Sequence, residues 1–238
     1  MLRRAFAEFV GTALLLAAIV GSGIMAQRLS PGDVGLELLE NDAATACALI
    51  AIILAVGPVS GAHLNPVITL VDRFFGGLST KLALAYMGAQ VSGGIVGAVV
   101  ANLMFSLSAV NLSTKTRSGE GLWLAEVIAT FGLVLVVFGV VRSGRASMAP
   151  FAVGAYIGAA YFFTASTSFA NPAVTIGRML SNTFAGISPG SAPAFVLAEA
   201  LGGAVAVLVI KTLYPKIAEV AGGVVVPTSD RSGEASVR

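Results

Sequence analysis

The sequence predicts an all-α membrane protein of six transmembrane helices and two re-entrant half-helices, arranged as an inverted 3+3 repeat. Three observations carry that prediction. Apolar residues make up 56% of the 238 and charged residues 11%, against roughly 25% charged in a soluble domain. The charges cluster between apolar stretches of about 20 residues, the length a helix needs to cross a ~30 Å hydrocarbon core. The landmarks of the first half return, in the same order, in the second.

Six long apolar segments read as spans: Ala5–Ala26, Ala43–Val59, Leu82–Leu107, Leu122–Val141, Ala149–Ser166 and Ala194–Leu213. The basic start Met1-Leu2-Arg3-Arg4 resembles a signal peptide. The run after it is long, contains Glu8 and lacks a clear small-residue cleavage site, so it is read as the first retained span. Two shorter segments, Asn65–Phe75 and Asn171–Leu180, reach only about half a bilayer at ~1.5 Å per residue. They are expected to enter the membrane without crossing it. One channel domain is expected over residues 1–220, with repeats at about 5–107 and 122–214, and a disordered cytoplasmic tail over 221–238.

The repeat is visible in three places. Ala7-Glu8-Phe9-Val10-Gly11-Thr12 returns as Ala125-Glu126-Val127-Ile128-Ala129-Thr130. Asn65-Pro66-Val67-Ile68-Thr69 returns as Asn171-Pro172-Ala173-Val174-Thr175, and Gln90-Val91-Ser92-Gly93-Gly94 as Glu199-Ala200-Leu201-Gly202-Gly203. Three spans per half force the second half to run upside down, which places functional elements near the midplane. Of the 14 Lys and Arg, ten lie at the termini or in the loops holding Arg73, Lys81, Arg142 and Arg145. Only Arg28, Lys115, Arg117 and Arg178 lie on the other side, so both termini are expected in the cytoplasm and the protein in a bacterial-type inner membrane.

Asn is a strong helix N-cap and Pro is favoured at the first helical position, so each Asn-Pro pair reads as a helix start. In inverted halves the two starts meet near the membrane centre. Irregular backbone survives there only beside a cavity or inside protein, which puts Ser60–Leu64 and Ser166–Ala170 next to a pore. Each helix N-terminus carries about half a positive charge. The pair therefore repels cations, while Asn65 and Asn171 offer amide donors to a small, polar, uncharged solute.

Composition excludes other classes. Basic residues are scattered, which recommends no nucleic-acid partner. With one cysteine, Cys47, and one histidine, His63, neither an intramolecular disulfide nor a Cys/His metal cluster is expected. No acid–base or nucleophile pair recommends an enzyme. Two rivals to a channel stay open: a secondary transporter coupled through Glu8, Glu126 and Glu199, and a non-conducting structural protein.

On Ala7-Glu8-Phe9-Val10-Gly11-Thr12, Ser60-Gly61-Ala62-His63-Leu64-Asn65-Pro66-Val67 and Ala170-Asn171-Pro172-Ala173, residues 5–215 resemble the aquaporin and aquaglyceroporin family. The resemblance implies a homotetramer with one pore per subunit, passive conduction of water and small neutral solutes, and no cofactor. It implies that Asn65, Pro66, Val67, Asn171, Pro172 and Ala173 form the pore centre, and that Glu8 and Glu126 support the re-entrant loops. By the family's spacings the constriction falls on Thr45, Ala159, Ser168 and Val174. Val174 stands where the family usually has Arg, so the filter is expected to be wide and weakly polarising, open to glycerol-like polyols and metalloid hydroxides such as arsenite. Arg178 is expected to be solvated surface, His63 a hydrogen-bonded loop residue and Cys47 an inert packing thiol facing away from the pore. Glu199 is expected to bond a neighbouring helix or loop.

Overall fold

A computed structural model describes residues 1–215, and the expected tail lies outside them. Six helices are long and apolar enough to cross a membrane. They are α1 (Leu2–Leu29), α2 (Val34–Ser60), α4 (Thr80–Met104), α5 (Glu120–Arg142), α6 (Ala149–Phe163, preceded by the 3₁₀ turn Ala146–Met148) and α8 (Ala192–Leu213). The short α3 (Pro66–Phe75) and α7 (Pro172–Arg178) complete the set. At 10 and 7 residues, these span about 15 and 10 Å, too little for a crossing.

The spans match their expected positions except α2, which begins nine residues before Ala43. Asp33 caps its start, accepting from Leu36 N at 3.0 Å, and Glu37 in the first turn suits the positive end of the helix. Buried Asn41 tolerates this extension because its amide donates to Ile19 O at 2.9 Å and Ser22 Oγ at 2.8 Å. The polar turns of α2 are therefore anchored to α1 instead of being left bare.

The halves pack as the repeat requires. α1 lies on α4 and α2; α5 lies on α8 and α6; α3 and α7 each touch a long helix of the other half, α8 and α4 respectively. Close approaches fix these crossings. A methyl at Gly93 would strike the Phe9 carbonyl of α1, and one at Gly202 the Val127 carbonyl of α5. Gly94 meets Ala173 of the second box and Gly203 meets Val67 of the first. Residues 9 and 127, 93 and 202, and 67 and 173 are the pairs aligned by the sequence repeat, so the inversion holds at atomic detail. Such small residues let helices touch backbone to backbone in lipid, where dispersion contacts drive association. Gly154 and Gly158 likewise pack on Ala46 of α2. Gly61 does a different task from the expected packing: it is the left-handed C-cap of α2, at φ 90°.

Candidate functional site

Asn65 caps α3, accepting from Val67 N at 2.8 Å, and Asn171 caps α7, accepting from Ala173 N at 3.0 Å. Pro66 and Pro172 take the first helical positions, where no N–H is needed. Each asparagine then reaches across the repeat. Asn65 Nδ2 donates to Ala170 O at 2.7 Å, and Asn171 Nδ2 donates to Leu64 O at 2.8 Å. The reciprocal pair ties the two helix starts together, tip to tip. It uses one of the two N–H donors of each amide and leaves the second for a solute.

The loops leading into the boxes are held in an unusual backbone. Ala62 and Leu64 have φ of 47° and 51°, and their repeat partners Ser168 and Ala170 have 50° and 50°. Non-glycine residues at positive φ cost about 1–3 kcal/mol each and persist only when surroundings impose them. Glu8 imposes the first loop. Its Oε1 accepts from Ser60 Oγ (2.6 Å) and His63 N (3.0 Å), and its Oε2 from Leu64 N (2.7 Å) and Gln90 Nε2 (2.8 Å). Glu126 does the same in the second loop, accepting from Phe169 N at 2.9 Å and Ala170 N at 2.7 Å. Both carboxyls are fully buried.

Gln90 also donates to Thr69 Oγ1 at 2.9 Å. At the matching place in the second half, Glu199 accepts from Thr175 Oγ1 at 2.6 Å, and its other oxygen has no partner among the described residues. Glu199 thus bonds a neighbouring half-helix. With all three glutamates engaged in holding loops and half-helices, the geometry does not favour the transporter reading.

His63 is buried, with Nδ1 3.1 Å from Thr69 Oγ1, Nε2 3.6 Å from Asp72 Oδ2, and its ring edge-on to Tyr86. It is a bonded loop residue. Cys47 does point away from the pore, but it lies exposed on the outer face of α2 and is not packed inside the subunit.

A cavity runs past these elements. Its walls are matched across the repeat: Leu15 and Ile19 from α1, Leu133 and Val137 from α5. Both asparagines, Thr45, Ser168 and Val174 line it as the sequence spacing places them. Ala159 does not. It is exposed on the far side of α6, whereas Val153, Ile157 and Tyr161, spaced four apart on one helical face, line the cavity. Two residues from Ile157 and two from Tyr161, Ala159 points about 200° away. Tyr161 takes its place, bonded through its hydroxyl to Thr45 Oγ1 at 3.2 Å. The constriction is therefore neutral, but it is not made of small residues alone.

Arg178 departs furthest from expectation. Far from being solvated, it is 2% exposed and lines the same cavity. Its guanidinium carbon lies 3.5 Å from the Phe169 ring centroid and its Nε donates to Ala185 O. What buries it is the chain after α7 folding back, together with the loop between α4 and α5, which lies along that chain through Asn111 N to Leu180 O (3.0 Å), Ser113 N to Met179 O (2.9 Å) and Ser188 N to Lys115 O (2.8 Å).

That loop brings in Arg117, which sequence reasoning missed. Its Nε donates to Gly186 O at 3.0 Å, its Nη1 to Ser166 O at 3.4 Å, and its guanidinium carbon lies 5.0 Å from the centre of the Phe169 ring. Burial lowers the pKa of Arg117, partly offset by Glu126 and Tyr161. Lys115, beside it, donates to Phe184 O at 2.9 Å. Burial, followed by the charges of Arg117 and Arg178, lowers the Lys115 ammonium to about 8. The signal in the sequence was the location of these residues: they are three of the four basic residues on the side poor in positive charge.

Six spans, two facing half-helices and a neutral constriction between them define a membrane channel. The sequence profile of the Major intrinsic protein family matches residues 1–170. Among individual relatives, the chain is 48% identical over 211 residues to an aquaglyceroporin, AqpS, of Rhizobium meliloti (strain 1021), covering 89% of this chain and 90% of the relative. It is 30% identical to the aquaporin TIP1-1 of Zea mays over 75% of each chain. The fold is similar to the X-ray structure of the aquaglyceroporin from Plasmodium falciparum, at a TM-score of 0.66 and 22% identity, covering 91% and 98% of the two chains. The chain belongs to the major intrinsic protein family, a family of multi-pass membrane channels and not of enzymes.

Proposed function

We propose that this protein is a passive channel for small uncharged solutes: glycerol-like polyols, metalloid hydroxides such as arsenite, and water. The observation that supports this reading most is the neutral constriction. Thr45, Tyr161, Ser168 and Val174 offer hydroxyls and apolar surface, with no charged group at position 174. A solute with several hydroxyls exchanges hydrogen bonds with water for those with Thr45, Ser168 and the two box asparagines, while its carbon skeleton slides along the apolar wall. In this reading the Asn-Pro boxes form the pore centre, and Glu8, Glu126 and His63 hold its loops.

The charge distribution among the loops supports an inner-membrane orientation with both termini cytoplasmic. The mouth lined by Arg178 then faces outward. Family resemblance supports a homotetramer with one pore per subunit. Stopped-flow entry of glycerol, arsenite and water into proteoliposomes tests the assignment. All three are expected to enter faster than into empty liposomes; water entry without glycerol or arsenite would overturn the proposed solute range.

A further inference from the structure

We propose that Arg178 and Arg117 together form the charge screen of the channel, displaced from position 174 to the mouth. This rests on the channel reading above and names the residues that reject cations in it. The pair converges on one ring, with guanidinium carbons 3.5 and 5.0 Å from the centroid of Phe169. Phe169 itself lines the cavity, as Arg178 does. Between described residues no carboxylate lies within ion-pair distance of either arginine. A buried cation normally has a paired anion. Here the charges are held instead by the Phe169 face and by the carbonyls of Ala185, Gly186 and Ser166, so their field is left to act on the mouth.

The placement of charge makes the same point. Three of the four basic residues on the poorer side, Lys115, Arg117 and Arg178, come from two segments separate in sequence and meet here. Scattered surface charge would not converge on one lining residue. The consequence is a division of labour. The mouth sorts by charge and presents N–H donors to solute oxygens, and the neutral constriction beneath it sorts by size. A filter built on one arginine does both at a single level and narrows the pore in doing so; moving the charge outward leaves the constriction free of that side chain.

The test is the ratio of guanidinium-ion to glycerol permeability in proteoliposomes, for wild type, Arg117→Gln, Arg117→Lys, Arg178→Gln and the double Gln variant. The free guanidinium ion stays charged at neutral pH. Removing the screen is expected to raise the ratio about tenfold or more in the double variant, with each single Gln variant between, and Arg117→Lys is expected to restore a low ratio because it keeps the charge. A packing role alone would not give that rescue. Arg178 is fully buried and its variant can fail to fold, in which case Arg117→Gln decides. A glycerol-conducting Arg117→Gln channel with an unchanged ratio overturns the proposal. A wild type that passes no glycerol overturns the channel reading beneath it.

Discussion

Glu8 and Glu126 stand at matching places in two inverted halves, yet the structure around them differs. Glu8 collects four donors: Ser60 Oγ, His63 N, Leu64 N and the Gln90 amide. Glu126 collects two backbone N–H groups, with the Ser166 hydroxyl alongside, and where the first half has the donor Gln90 the second has Glu199. The first half thus closes its polar network with an amide, and the second leaves a carboxyl oxygen unpartnered. Both halves hold the same left-handed loop backbone, but the first holds it more firmly. The looser half is also the one whose box is followed by Val174 and whose loop forms the mouth.

The comparison breaks most sharply at the two carboxyls. Each orphaned buried donor costs about 1–3 kcal/mol, and a domain has only about 5–15 kcal/mol in all. Glu8→Ala is therefore expected to yield no folded channel on detergent extraction, judged by size-exclusion chromatography. Glu126→Ala, orphaning fewer donors, is expected to survive extraction with a lowered Tm and impaired flux. Equal losses would mean that the halves are held alike.

The glycines should behave symmetrically. Gly93→Ala and Gly202→Ala each drive a methyl against a carbonyl of the partner helix, at a cost of about 1–3 kcal/mol. Similar drops in Tm are expected; a drop in only one would show that the crossings are not equivalent.

Glu199→Gln tests the open end of the second network. Glutamine supplies the donor that Gln90 supplies opposite, and removes a buried carboxyl with an unpartnered oxygen. A gain of about 1 kcal/mol in stability is expected, read as a higher Tm, together with retained glycerol flux. A loss of stability would assign Glu199 a needed charge.

The smallest effect belongs to Lys115. Its pKa is lowered from 10.5 to about 8, so the folded state releases this proton before the unfolded chain does. The unfolded state binds more protons between those values, and stability rises with pH through that window. Comparing wild type with Lys115→Met by melting at a pH near 7 and a pH near 10 should show a slight rise in Tm that only the wild type has.

The inverted halves were legible in the sequence because Glu8, Asn65 and Gly93 have partners at Glu126, Asn171 and Gly202, and close contacts in lipid leave few residue types that fit. The box geometry was legible because caps are local: Asn followed by Pro dictates a helix start whatever lies around it. Tyr161 was not, since spacing counted back from Asn171 crosses a loop, and a shift of two residues turns a helical side chain from pore to outer face. The burial of Arg178 and the arrival of Arg117 were hidden for a different reason. Both depend on the loop between α4 and α5 lying along the chain after α7, a contact that no local pattern encodes.

The central claim is passive conduction of an uncharged polyol through the pore between the two Asn-Pro boxes. The most direct test is the concentration dependence of glycerol entry into wild-type proteoliposomes, with and without a proton gradient. Flux is expected to rise linearly with the glycerol gradient, to stop at equal concentrations and to ignore the proton gradient. Saturable uptake that accumulates glycerol against its gradient would contradict the account.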